Sequence, residues 1–457
     1  MLDEKKLKIA LNNMKVICLI IKIIFFVKFG TLKDCPLREC DLINFFSFFN
    51  LFPGDYEIPA RRLVALFNAV RSVKEGGEEK TKELVQHYLE ALTRLNLIQV
   101  VEMNINGKVK KCRLPSALKD RFVFEIVSDK HLVDHCHGNG TNSSDLKIKY
   151  EDLISYLSFD TSEGNKLGEE VRKFLQKKIA CGCFGSLGIA SGCFRSLKVL
   201  DLEHYLGLRW TYLEEIPSSI GNLPNLQTLD VKYTYVRILP KSKWKLQKLR
   251  HLYLSQSHRN KFVSQPKGSS LKNLETLWGL FLDDVSAIKN GLNKLNNLTK
   301  LGLTFELELS QQKTVETWVN GLKNLKSLRL RSIDEKGDAL LMTLTPNLGN
   351  LPNLKSICFY SSSYKGKEMS WKGFPNLLVL KLWKLESLEK LEVEAGAMPK
   401  LKELDIRCCN KLKVPTGLKH LNSLQELKLT NMPKDFTTIQ EKKWEIGAIL
   451  PTLPGSQ

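Results

Sequence analysis

An α/β leucine-rich-repeat solenoid (a horseshoe of stacked strands) preceded by a small α+β winged-helix domain is the fold this sequence predicts, on three observations. A phrase of the form LxxLxL recurs ten times in the carboxy-terminal part, with first leucines 23 to 29 residues apart. Within each phrase the last two apolar residues are separated by two, which is a strand step rather than a helix step. Upstream, a helix-period stretch leads into a hairpin signal.

The repeats run from Leu197-Lys-Val-Leu200-Asp-Leu202 through Leu226–Val231, Leu249–Leu254, Leu298–Leu303, Leu325–Leu330, Leu354–Phe359, Leu377–Leu382 and Leu401–Ile406 to Leu424–Leu429, with a degraded copy at Leu274–Leu280. Two leucines of each phrase point into a core and their neighbours point the other way, so stacked copies make one curved sheet with a concave, solvent-facing side. Segments such as Gly221-Asn-Leu-Pro-Asn225 and Gly349-Asn-Leu-Pro-Asn353 supply the returning turns, and their Pro and Gly argue against amphipathic helices.

Residues 34–127 form the winged-helix part. Leu84, Tyr88, Leu92 and Leu95 lie on one helical face, and Leu97–Val101 pairs with Lys108–Leu114 across Asn106-Gly107, read as a two-residue hairpin turn. Lys108, Lys110, Lys111 and Arg113 make the wing basic. That keeps nucleic-acid binding as an alternative, although lysines also blunt a solvated strand edge against pairing, and this second reading is preferred.

The chain has 457 residues with a formal charge of +20, 43% hydrophobic and 26% charged, a globular composition with an excess of positive surface. Collagen, a disulfide miniprotein and a wholly disordered tail are excluded. Eleven scattered cysteines point to a reducing compartment rather than a disulfide framework.

The remaining segments are an atypical apolar and basic stretch at 1–33, a linker at 128–193, the repeats at 194–432 and a tail at 433–457. Lys22 and Lys28 interrupt the apolar run Lys15–Phe29, which reads against a membrane span. In the linker, Ile154–Phe159 reads as an irregular capping repeat, and Ile179–Gly188 is echoed ten residues later by Ile189–Lys198. His131, His135, Cys136 and His137 lack zinc-ligand spacing, so no metal is expected. Cys408 and Cys409 follow a strand and are expected to face opposite sides, one in the core and one at the surface.

Leu51-Phe-Pro-Gly-Asp-Tyr-Glu-Ile-Pro-Ala-Arg-Arg-Leu63, Tyr88–Leu92, Asn96–Glu102 and Tyr212-Leu-Glu-Glu-Ile-Pro-Ser-Ser-Ile-Gly-Asn-Leu-Pro-Asn-Leu226 closely resemble plant intracellular immune receptors of the coiled-coil, NB-ARC, leucine-rich-repeat disease resistance family. The resemblance covers most of the chain from about residue 34. It implies a winged helix that closes a nucleotide-binding switch, and repeats that restrain the switch and sense pathogen effectors. It also implies a chain truncated at its amino terminus, because no GxxxxGK[ST] loop is present and Gly76-Gly77-Glu78-Glu79-Lys80-Thr81 fails as one on spacing and charge. In that family a hydrophobic-His-Asp triplet follows the position of Cys112-Arg113, and its histidine contacts the ADP β-phosphate. Here the triplet reads Leu114-Pro115-Ser116, and proline offers neither an imidazole nor a backbone N–H. No ATPase activity and no cofactor of the chain's own is therefore expected, with ADP or ATP entering only through an upstream region.

No nucleophile with a base, no paired acids and no metal-ligand set stands out, so the expectation is a binding protein and not an enzyme. The alternation lists the concave residues as Asp230, Lys232, Tyr253, Arg329, Arg331, Tyr360, Lys381, Trp383, Asp405, Arg407 and Lys428. Of these, Arg329, Arg331, Tyr360, Lys381, Trp383 and Arg407 are the expected recognition residues, because arginine and aromatics anchor protein interfaces. The expected partner is a pathogen effector or a guarded host protein, acidic or tolerant of aromatics, or else a full-length relative of the chain, with nucleic acid and membrane set aside. The cytoplasm is the expected location, with peripheral membrane association left open. The alternative to a real truncated product is an incomplete gene model of a full nucleotide-switched receptor.

Overall fold

The computed structural model describes residues 39–70, 78–119, 131–134, 153–158, 196–201, 213–255, 261–262, 271–283, 286–289, 292–307, 309–332, 351–364, 366–433 and 436. The apolar opening segment, the histidine-bearing loop, the duplicated residues up to 195 and nearly all of the tail lie outside them. The chain divides into two compact units, one holding residues 1–161, 181–201 and 226–228 and the other the remainder.

In the first unit, α1 (Glu39–Ser47) continues as a 3-10 turn (Phe48–Leu51), and β1 (Ile58–Pro59), α2 (Ala60–Val70) and α3 (Glu78–Arg94) follow. The phenylalanine-rich run explains the core. Phe45 packs edge-on against Phe48, Phe49 and Phe67 and stacks on Tyr88 at 5.1 Å, and such ring pairs add to the burial of their area. On α3, Val85, Tyr88, Leu89 and Leu92 are buried with Leu84 partly so, a stripe at helical spacing that seats the helix on those rings. The helix stops at Asn96, which takes φ 56° while the Asn96 N–H reaches the Thr93 carbonyl and the Leu97 N–H the Leu92 carbonyl, a Schellman closure.

The hairpin is β2 (Gln99–Met103) and β3 (Val109–Arg113), and α4 (Ser116–Lys119) ends the winged-helix part. The turn is longer than the two residues the Asn-Gly pair predicts. The Asn104 N–H donates to the Lys108 carbonyl, the Asn104 side chain accepts from the N–H groups of Asn106 and Lys108, and Gly107 takes φ 71°. Three residues loop out with glycine at the left-handed position, the other common hairpin geometry. Gln86 then holds β3 to α3 by donating to the Val109 carbonyl and accepting from its N–H, both at 2.9 Å.

The first unit also contains three parallel strands, β4 (His131–Asp134), β5 (Ser155–Ser158) and β6 (Val199–Asp201). Within the segment expected to be an irregular repeat, Ser155–Ser158 is a strand, and β4 precedes it where only linker was expected. An ion pair ties β6 to α2. Arg62 is 3% exposed, donates to Asp201 Oδ1 at 2.5 Å and to the Tyr56 hydroxyl, and stacks on the rings of Phe52 and Tyr56 at 5.9 and 5.7 Å.

The second unit is a parallel ladder. It comprises β7 (Thr228–Asp230) from Leu229 on, then β9 (His251–Tyr253), β11 (Thr276–Leu282), β12 (Lys300–Phe305), β13 (Ser327–Ser332), β14 (Ser356–Tyr360), β16 (Val379–Trp383), β18 (Glu403–Arg407) and β19 (Glu426–Thr430) in that spatial order. Between them lie the short strands β8 (Ile238–Leu239) and β10 (Lys261–Phe262), paired with each other, β15 (Glu368–Trp371) and β17 (Lys390–Val393), likewise paired, and the helices α5 (Ser286–Lys289) and α6 (Leu309–Gly321).

Burial follows the phrase. Leu328 and Leu330, Ile357 and Phe359, Leu380 and Leu382, and Leu404 and Ile406 are core residues, each burial contributing about 2 kcal/mol. Successive repeats are joined by paired donations to one carbonyl, as when Lys355 and Ser356 donate to Lys326 and Leu378 and Val379 donate to Lys355. The residue before the first leucine adds a rung, since the Asn273, Asn297, Asn353 and Asn376 amides donate to a backbone carbonyl of the preceding repeat at 2.8 to 3.0 Å. The asparagines of the turn segments are thereby hydrogen-bonded supports as well as turn formers.

The degraded copy has a cause. In β11 the register to β12 slips between Trp278 and Leu280, and Gly279 at φ 84° fills the bulge where a Cβ would meet the Leu254 carbonyl oxygen at 2.3 Å. The extra residue lets Leu277, Leu280 and Leu282 all reach the core.

Candidate functional site

Strand register places the open face of the sheet in two rows. One reads Tyr253, Trp278, Gly302, Arg329, Cys358, Lys381, Asp405, Lys428, and the next Thr304, Arg331, Tyr360, Trp383, Arg407, Thr430. Adjacent members stand one strand spacing apart, about 4.8 Å. Arg329, Arg331, Tyr360, Lys381, Trp383 and Arg407, singled out from sequence, form one contiguous cluster.

Rings and cations interleave within it. Trp383 has the Arg407 guanidinium at 4.8 Å from its centroid, the Lys381 ammonium at 5.5 Å and the Arg329 guanidinium at 5.8 Å. Tyr360 has Arg331 at 5.1 Å and Arg329 at 5.2 Å and meets Trp383 edge-on at 6.2 Å. Each such contact is worth about 0.5–2 kcal/mol according to its desolvation, and together they fix side chains that would otherwise lose rotamer freedom on binding.

Asp405 was counted among the partner-facing residues, but it is 0% exposed. It is the counter-ion beneath the surface, accepting both branches of the Arg407 guanidinium at 2.7 and 2.9 Å, with Lys381 at 3.7 Å. That bond raises the Arg407 pKa. Asp230 is likewise buried. Glu403 accepts from Lys381 at 2.8 Å and Lys428 at 3.4 Å, and although burial pushes its carboxyl up, these two lysines together hold it below the usual range. Burial lowers the Arg331 guanidinium against a raising contribution from Tyr360. Burial also pushes the Cys358 thiol up to about 11, so it stands in the row as a neutral group.

Trp278 was missed. Its indole lies over Gly302, whose added Cβ would touch the ring at 2.8 Å, and Lys232 covers the Tyr253 ring in the adjoining strand at 4.4 Å. The signal was the glycine in the neighbouring phrase, but the bulge had removed Trp278 from the regular alternation.

The triplet Leu114-Pro115-Ser116 is committed to packing. Leu114 lies in the core, its carbonyl accepts from the Asp55 N–H at 2.9 Å, the Pro115 carbonyl accepts from Leu118 and Lys119, and the Ser116 hydroxyl donates to the Asp55 carboxylate and lowers its pKa. These residues do not fit a nucleotide phosphate, because proline has no N–H and the hydroxyl is engaged. On the wing, Lys110 pairs with Glu102, Lys111 reaches Glu57 at 3.1 Å and Arg113 donates to Gln99 at 2.9 Å, so three of its four cations have a local acceptor.

Cys409 is in the core and Cys408 is half-buried, both as free thiols; the split comes from the turn after β18, where Cys408 takes φ 53°, and not from strand alternation, which would carry Cys408 inward after Leu404 and Ile406. A cavity of about 590 Å³ beside α5 and α6 is lined by Lys289, Lys313, Thr317, Trp318 and their neighbours and by no carboxylate, histidine or cysteine. Among the described residues no three metal-ligating side chains converge, and no helix is long and apolar enough to cross a membrane.

Residues 51–120 match the family model for the disease resistance protein winged helix domain, and residues 195–346 match a leucine-rich repeat region. Late blight resistance protein R1-A of Solanum demissum is 27% identical over 90% of this chain. The chain is thus similar to plant disease resistance proteins in both its winged-helix part and its repeats. A putative late blight resistance protein homolog from the same plant is 28% identical over 90% of the chain, and the chain spans 36% of the length of each of these two relatives. Among solved structures, the functional domain of InlJ from Listeria monocytogenes aligns over 62% of this chain and 54% of its own at 15% identity and a TM-score of 0.35. The solenoid assignment rests on the parallel ladder itself.

Proposed function

We propose that this chain serves plant defence as a recognition module whose binding surface is the Arg329, Arg331, Tyr360, Lys381, Trp383 and Arg407 cluster on the open face of its repeats. The carrying observation is Trp383 ringed by three cations, one of which, Arg407, is held by a fully buried carboxylate. Such a patch is pre-organised, so a partner meets rigid aromatic and guanidinium anchors without first ordering them.

The partner class is a pathogen effector or a guarded host protein. The relatives are named for resistance to late blight, which supports a defence role. The chain acts by binding, without catalysis and without a nucleotide of its own, in the cytoplasm. Leu114, Pro115 and Ser116 support this, since their polar groups are spent on Asp55 and α4.

The test is affinity capture from challenged and unchallenged leaf extract with wild-type protein, a Trp383→Ala, Arg407→Glu double variant and Lys390→Gln on the outer strand β17. A defence-dependent partner lost about tenfold or more by the double variant and retained by Lys390→Gln supports the proposal. Equal capture by all three refutes it.

A further inference from the structure

Among the described residues, three cations of the later strands have carboxylate partners on the open face. Arg407 is chelated by Asp405, Lys381 is held by Glu403, and Lys428 is shared between Glu403 and Glu426. Arg329 differs. Among the described residues its guanidinium makes no hydrogen bond and no ion pair, its Nε is buried without a partner, and its close contacts are the rings of Tyr360 and Trp383.

A guanidinium carries its N–H donors in the plane of the group, so stacking on rings covers the face and leaves the edge ready to bind. A half-buried cation without a counter-ion has surrendered hydration for nothing in return, and a carboxylate arriving at that edge restores the deficit with paired, charge-assisted bonds. Two carboxylates on the same face, Glu403 and Asp405, are already engaged by Lys381, Lys428 and Arg407.

We infer that Arg329 is the docking point for an acidic side chain, Asp or Glu, of a protein partner, with Tyr360 and Trp383 as the platform that holds the guanidinium edge outward. This rests on the recognition reading above. A protein carboxylate is favoured over a nucleic acid because the ring faces that would stack bases carry cations instead: Arg329 and Arg331 on Tyr360, and Lys381 and Arg407 on Trp383.

The probe is a displayed library of random peptides of about a dozen residues, a length that spans a recognition groove. It is selected on the wild-type chain, on Arg329→Gln and on Arg329→Lys, with thermal melts confirming that each variant is folded. Enrichment of Asp and Glu on the wild type is expected. The strongest peptide should lose about tenfold in affinity on Arg329→Gln and a smaller factor on Arg329→Lys, which keeps the charge but loses the fork.

The inference is overturned if no peptide is selected, if the selected peptides show no acidic enrichment, or if Arg329→Gln selects the same ones. Tighter binding of a single-stranded oligonucleotide, lost on Arg329→Gln, also overturns it. If these outcomes accompany capture of a leaf partner that depends on Trp383 and Arg407, recognition stands and only the acidic chemistry fails. If capture is equally indifferent to those residues, both fall.

Discussion

Lys243 is 1% exposed, in the 3-10 turn Lys241–Lys245 beside Trp244, and desolvation pulls its ammonium down to about 8. Below that value the lysine is charged in both folded and unfolded chains and the burial cost is fully present. Between about 8 and the ordinary lysine value the folded chain holds fewer protons than the unfolded one, so stability rises with pH there. Lys243→Met is expected to stabilise the fold by about 2 kcal/mol at neutral pH, with the gain shrinking toward pH 10, as denaturant unfolding at several pH values will show. Asp405→Asn leaves the Arg407 guanidinium without its charge partner beneath the surface and is expected to cost about 3 kcal/mol, by the same assay. The facing of Asp405 was legible, since alternation puts it in the row with Lys381 and Lys428. Its burial was not, because register says which way a side chain points and nothing about what the neighbouring Arg407 and Lys381 cover.

At the scale of elements, the LxxLxL step determined nine strands of the ladder, because a two-residue alternation has only one core-facing solution. The bulge in β11 was illegible as such, since an inserted glycine shifts the alternation and makes a sound strand look degraded. Gly279→Ala is expected to destabilise the second unit by about 2 kcal/mol or more, from its left-handed φ and the Leu254 carbonyl together, measured as a lowered melting temperature. Gly302→Ala must displace the Trp278 ring and should change near-ultraviolet dichroism with little loss of far-ultraviolet signal. The hairpin was legible in position, and its loop length was not, because Asn104 supplies side-chain bonds that favour the longer closure over the two-residue turn.

For the whole molecule, the feature furthest from any sequence pattern is the Arg62–Asp201 pair, whose members stand 139 residues apart. No periodicity links them, and only the fold brings a helix arginine to the last residue of β6. Arg62→Met or Asp201→Asn alone strands a buried partner and is expected to cost about 3–5 kcal/mol. The double variant should cost less than the sum, a coupling that a double-mutant cycle on unfolding free energies will read. At this scale the likeness to disease resistance proteins was legible, since the family models and the relatives match the same stretches. The repeats, the LFPGDYEIP phrase and the Arg and aromatic alternation are written in the chain, whereas the ion-pair accounting that separates Arg329 from its neighbours depends on distances that no spacing encodes. The most direct test of recognition through the open face is site-specific photocrosslinking in challenged leaf tissue, with p-benzoylphenylalanine introduced at Tyr360 in one protein and at Lys390 on the outer strand in another. Covalent capture of a discrete protein from the Tyr360 position and none from Lys390 is the expected result; capture from Lys390 alone, or equal capture from both, contradicts it.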